Sequence, residues 1–135
     1  MKYIAEKDYF ELRNSSLSPI RNIKILRPFN VYGVNQHRGV VYDMIKSSLS
    51  ENVIRYADDT TRTMTDIKFA SEKAVDAIMS TSDAKMNLVD DRCSVYMQSL
   101  AEIIADVLDI DCNFIRCPPD KSIRYRNTSF PDDDL

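Results

Sequence analysis

The chain has 135 residues, a formal net charge of −3, 44% hydrophobic and 29% charged residues. That length holds one domain with a modest core, and the composition is that of an ordinary soluble globular protein. Its basic residues are scattered, which argues against nucleic acid as a partner, and no apolar run approaches the roughly 20 residues of a membrane span.

Tyr3 to Asn14 reads as a helix. Tyr3, Lys7 and Glu11 fall four apart and share one face, with Ile4, Tyr9, Phe10 and Leu12 supplying apolar surface beside it. A lysine one turn from a tyrosine stabilises the phenolate and lowers its pKa, which a tyrosine needs to act as a base near neutrality. The bland alternative is a solvated helix face, since Tyr-x-x-x-Lys arises often by chance. Asn14-Ser15-Ser16 and Ser18-Pro19 break the pattern.

Asn22 to Leu26 reads as a short buried strand stopped by Pro28, which has no N–H for a ladder. Asn30, Tyr32 and Gly33 follow, with Gly33 expected to close a turn. Polar side chains at the carboxyl end of a strand are where open α/β sheets bind ligands. A polar loop then carries His37, the only histidine, read as a solvated loop residue, and Arg38. Val40 to Ser50 is a helix, with Val40, Val41, Met44, Ile45 and Leu49 on its apolar face. Val53 to Tyr56 is a strand, and Asp58-Asp59 beyond it reads as a solvated acidic turn rather than a metal site.

Phe69 to Thr81 is an amphipathic helix and Lys85 to Val89 a strand. Ser94 precedes a helix from Val95 to Leu108, whose buried face is Leu100, Ile103, Ile104, Val107 and Leu108. Cys112 to Ile115 is the last strand, stopped by Pro118-Pro119; Lys121 to Arg126 is basic and extended, and Pro131 to Leu135 is an acidic, frayed tail. Cys93, Cys112 and Cys117 lack zinc-ligand spacing and read as reduced thiols of a cytoplasmic protein. The first residues are too charged for a signal peptide. Gly33 and Gly39 are the only glycines, so the chain has no glycine-rich phosphate loop. The alternating order of helices and strands predicts an α/β domain with a small, largely parallel sheet.

Tyr3-x-x-x-Lys7 followed by Leu26-Arg27-Pro28-Phe29-Asn30-Val31-Tyr32-Gly33 resembles the extended short-chain dehydrogenases/reductases, the NAD-dependent nucleotide-sugar epimerase/dehydratase family. That family carries a catalytic Tyr-x-x-x-Lys and an LRPxNVYG segment in the same order. Glu11 matches an acidic position often found beyond the lysine. Tyr56 to Arg62 resembles the family's YGDGxxxR turn, with both glycines replaced, by Ala57 and Asp59, and one residue fewer. The V-x-D segment that follows in the family is not reproduced, and Asp66-Ile67-Lys68-Phe69 stands in its place. Asn87 matches the asparagine of its next strand, and the late helix has a counterpart too.

The resemblance runs from Tyr3 to about Arg126. It implies a single unit over 1–135: the C-terminal portion of such a Rossmann protein, comprising the last sheet strands and a small substrate-binding α/β subdomain, with the glycine-rich cofactor-binding half absent. It further implies that Tyr3 is the base on a sugar hydroxyl and that Lys7 lowers its pKa and holds the cofactor ribose. Asn30 would bind near the sugar or phosphate, and Arg62 with Arg124 or Arg126 would clamp the diphosphate. The substrate would be a nucleotide-diphosphate sugar; NAD or NADP is the cofactor of the parent family, with none bound by this chain alone and no metal. Such a chain would be a cloned fragment, a split or truncated gene product, or a small subunit of a cofactor-binding partner chain. Inactivity without a cofactor-binding half is expected, as is a homo-oligomer or dimer built through Ile4, Tyr9, Phe10 and Leu12. The alternative is a non-catalytic remnant acting as a nucleotide-sugar binding or interaction subunit, which the glycines lost at Ala57 and Asp59 favour.

Overall fold

The computed structural model describes residues 2–15 and 22–119, without the side chains of positions 2, 3, 4, 10, 84 and 91. Helix α1 (Lys2–Asn14) forms where its sequence predicts. Two ion pairs tie it down. Glu6 meets Arg27 of strand β1 (Lys24–Pro28) through two parallel hydrogen bonds, Nε to Oε1 at 2.8 Å and Nη2 to Oε2 at 2.6 Å. The two side chains are only 16% and 14% exposed. At the other end of the helix Arg13 pairs with Asp83, whose carboxylate also accepts the Ile23 N–H at 2.9 Å.

β1 runs two residues further than expected and ends on Pro28, not before it. The missing proline N–H costs nothing there, because the next residue resumes the bonding: the Phe29 N–H donates to the Leu88 carbonyl at 3.3 Å. β1 lies parallel to β6 (Ala84–Leu88), with Arg27 opposite Asn87. Two more pairs are parallel, β2 (Val31–Tyr32) with β5 (Thr65–Asp66) and β3 (Val53–Ala57) with β8 (Asn113–Cys117). β4 (Thr61–Thr63) runs antiparallel to β7 (Ser94–Tyr96). Among the described residues the expected small sheet is therefore four two-stranded pairs, three of them parallel.

Helix α2 (Val40–Glu51) ends on Asn52 in the left-handed conformation, φ 56°, and the Asn52 carbonyl accepts the Asn113 N–H at 3.0 Å. Helix α3 (Ile67–Met79) starts earlier than Phe69 because the Asp66 carboxylate caps it, accepting the Lys68 N–H at 2.8 Å. Helix α4 (Met97–Leu108) starts later than Val95, since Ser94 to Tyr96 are taken up in β7. The Ser94 hydroxyl, an obvious cap in the sequence, is instead bonded to the Thr63 hydroxyl at 3.0 Å.

The core lies where α2 and α4 cover the β3–β8 pair: Met44, Ile54, Ala101, Ile104, Ala105 and Cys112 are buried together. Of the apolar face expected on α4, Ile104 is buried while Ile103 and Val107 are exposed. Gly33 does start a turn, its carbonyl accepting the Gln36 N–H at 3.3 Å. Its lack of a side chain serves a different purpose, because a Cβ there would fall onto the Ile67 side chain at the start of α3.

The hydrogen bonds from Arg27 hold the Glu6 carboxyl below its ordinary pKa, outweighing the burial that pushes it up. A depressed folded pKa adds stability that is complete above the unfolded glutamate value, about 4.3, and is lost as the pH falls through the lower folded value. Glu6→Gln should therefore cost about 1.5 kcal/mol in urea unfolding at pH 7, and the gap to the parent should close in acid below the ordinary glutamate range. Equal stabilities at pH 7 would contradict this.

Candidate functional site

The turn after β3 closes without glycine. Asp59 adopts the left-handed conformation, φ 44°, which aspartate tolerates better than most residues. The Thr60 hydroxyl donates to the Asp58 carbonyl at 2.8 Å, and the Asp58 N–H donates to the Cys117 carbonyl at 2.8 Å. Asp58 is not the free, solvated acid its sequence suggests: its carboxylate lies 2.6 Å from Arg116. That hydrogen-bonded guanidinium holds the carboxyl below its usual range.

Arg62 follows this turn but stands in strand β4, half-buried. It lines a cavity of about 410 Å³ between α2 and β3, together with Asp43, Ser47, Arg55, Tyr56 and the apolar Val40, Met44 and Met97. The recess therefore offers two guanidiniums, a carboxylate, a hydroxyl and an aromatic ring. A second recess of about 610 Å³ shares Ala57 and Met97 with the first and carries Thr60, Gln98, Ser99 and Arg116. Arginine forks suit phosphate oxygens, and an aromatic wall suits a base or ribose.

Asn30, between β1 and β2, adopts a positive φ of 39°. Its side-chain amide donates to the Thr63 carbonyl at 3.1 Å, and its own carbonyl accepts the Thr65 N–H at 3.2 Å. Asn30 thus splices β1 to the β4–β5 segment, one residue from Arg62, yet it does not line the Arg62 cavity. Lys7 is exposed on α1, 3.9 Å from Glu11. Tyr3 lies in the first turn of α1, its side chain outside the described set, and Arg124 and Arg126 lie outside the described residues. The structure therefore brings Asn30 and Arg62 to neighbouring backbone.

Several polar residues in these places escape sequence reading. Arg55 and Tyr56 reach the cavity from one strand, Asp43 and Ser47 from a helix distant in the chain. Asp90 follows β6 and grips Arg92 through Nε at 2.8 Å and Nη2 at 2.9 Å, while accepting the Arg92 N–H at 3.2 Å. The signal for this one was present, an aspartate two residues before its partner N–H as in an Asx turn. Burial pushes the Tyr32 phenol up, and the Asp66 carboxylate adds to it, so Tyr32 stays protonated as a donor.

Gly33 is packed against Ile67, and Gly39, φ 106°, is the N-cap of α2 facing the Gln36 side chain. Neither belongs to a phosphate cradle. Among the described residues no three of His, Cys, Asp or Glu converge as metal ligands, and no helix is long and apolar enough to cross a membrane.

No family model matches the sequence, and no curated protein matches it. Solved structures do resemble it. A dTDP-4-dehydrorhamnose reductase from Bacillus anthracis, in complex with NADP, superposes with a TM-score of 0.73 at 16% identity, over 93% of this chain and 42% of its own. The protein MoeE5, in complex with UDP-glucuronic acid and NAD, gives 0.74 at 17% identity, over 87% and 40%. UDP-glucose 4-epimerase from Thermotoga maritima, with UDP-glucose, gives 0.67 at 21% identity, over 89% and 40%. The chain shares part of the Rossmann-like fold of these structures and spans about two-fifths of their length.

The Arg92 hydrogen bonds draw the Asp90 carboxyl down to about 2. A carbon-detected NMR titration should find Asp90 ionised until that range, and Arg92→Ala should return its midpoint towards that of an ordinary aspartate, about 3.9. An ordinary midpoint in the unaltered chain would show that the pair does not hold in solution.

Proposed function

We propose that this chain is the substrate-binding part of a nicotinamide-dependent nucleotide-sugar epimerase or dehydratase, and that Arg62 holds the diphosphate of the nucleotide sugar. The observation carrying the proposal is the half-buried Arg62 set in a 410 Å³ cavity beside Arg55 and Tyr56. The shared fold supports it, since proteins of that fold are solved with UDP-glucose, UDP-glucuronic acid, NAD and NADP. Asn30 sits one backbone contact from Arg62 and would meet the sugar side of the ligand, with Arg124 or Arg126 adding a second cation to the diphosphate.

In this reading Tyr3 takes the proton of a sugar hydroxyl, and Lys7 stabilises the phenolate and holds the cofactor ribose. The nicotinamide group, when bound, supplies hydride transfer. It would be cradled by residues outside these 135, on the same or a partner chain, and the chain by itself would be inactive. Tyr9 and Leu12, both 57% exposed on α1, would then be covered by a partner or a second copy. One observation favours the non-catalytic alternative, a nucleotide-sugar binding or interaction subunit: Lys7 is turned to its own helix neighbour Glu11 and to solvent.

The test is an NMR titration of the full chain with UDP-glucose, GDP-mannose, dTDP-glucose and NAD. Sugar nucleotides should shift the resonances of Arg62 and the cavity wall, with affinity of about 1 mM that weakens as salt is added. Arg62→Ala should abolish the response. Binding of NAD with no response to any sugar nucleotide would sink the proposal.

A further inference from the structure

Resting on the reading of Arg62 as the diphosphate contact, we infer that the same cavity selects guanine, so that the substrate class is a GDP-sugar. Arg62 lines the cavity from β4, whereas the wall between α2 and β3 carries Asp43, Ser47, Arg55 and Tyr56. With the phosphates at Arg62, the base is left to face this wall.

The chemistry of the wall is selective. A carboxylate offers two acceptors side by side, and a guanidinium two donors side by side. Guanine alone among the common bases matches both at once: N1–H and the N2 amino group are adjacent donors, and O6 and N7 adjacent acceptors. Uracil and thymine present one N3–H flanked by carbonyls, so the second oxygen of a carboxylate would face a carbonyl oxygen. Adenine and cytosine offer a carboxylate only one amino group. Arg55 gives one contact to Glu51, Nη1 at 3.0 Å, and a guanidinium has five N–H donors, so its fork keeps capacity for a base. Tyr56 lines the same cavity. Asp43 lies in the first turn of α2 and is exposed, so nothing in the core depends on its charge.

Calorimetric titration of the full chain with GDP, UDP, dTDP and ADP is the test. GDP should bind at least about fivefold more tightly than the others, the least that one bidentate pair would give. Asp43→Asn should remove that advantage while UDP binds at least as tightly as before, because the amide no longer sets an oxygen against the uracil carbonyl; retained UDP binding also shows that the variant is folded. Arg55→Gln should weaken GDP selectively, while Arg62→Ala weakens all four nucleotides alike. If UDP or dTDP binds as tightly as GDP and Arg62→Ala still weakens it, guanine selection is wrong and the diphosphate site survives. If no nucleotide binds, the diphosphate site falls, and guanine selection with it.

Discussion

Glu6 and Arg27 face each other across the joint between the first helix and the first strand, nearly out of water and bonded twice. Two charges in such a place are costly to separate, because either one left alone would be a desolvated ion. The pair fixes how far α1 can slide along β1. Lys85 adds a further positive charge to the field at Glu6. Arg27 lies in register with Asn87, so the helix, the strand and its parallel neighbour β6 are set together. β1 then delivers Asn30 to the point where the chain turns towards β2.

From that point the candidate site is built by backbone that glycine would ordinarily be asked to form. Asn30, Asn35, Asn52 and Asp59 all have positive φ. Asparagine and aspartate tolerate this region because short polar side chains can bond locally. Asn30 anchors to Thr63, and the turn at Asp59 is tied down by Thr60. A chain with two glycines can therefore make the tight turns that place Arg62 at its cavity.

The elements with long, regular apolar spacing were legible in the sequence: α1, α2 and α4 appear, as do β1, β3, β6 and β8, with shifted ends. What was not legible was non-local. β7 is three residues long, and its only reason to be a strand is β4, far away in the chain. Its pairing also takes Ser94 from the capping role its sequence advertises. The start of α3 could have been read from Asp66, a standard cap residue passed over in favour of the apolar pattern. Arg62 could be singled out by resemblance alone. Arg55, Asp43 and Ser47 could not, because nothing local says that α2 and β3 will share a cavity.

A crystal structure of the chain soaked with GDP-mannose would address the central claim, that the Arg62 cavity holds a nucleoside diphosphate. The account predicts phosphate oxygens within hydrogen-bond distance of the Arg62 guanidinium and the base between α2 and β3. Density for the ligand at another place, with the Arg62 cavity unchanged, would contradict it.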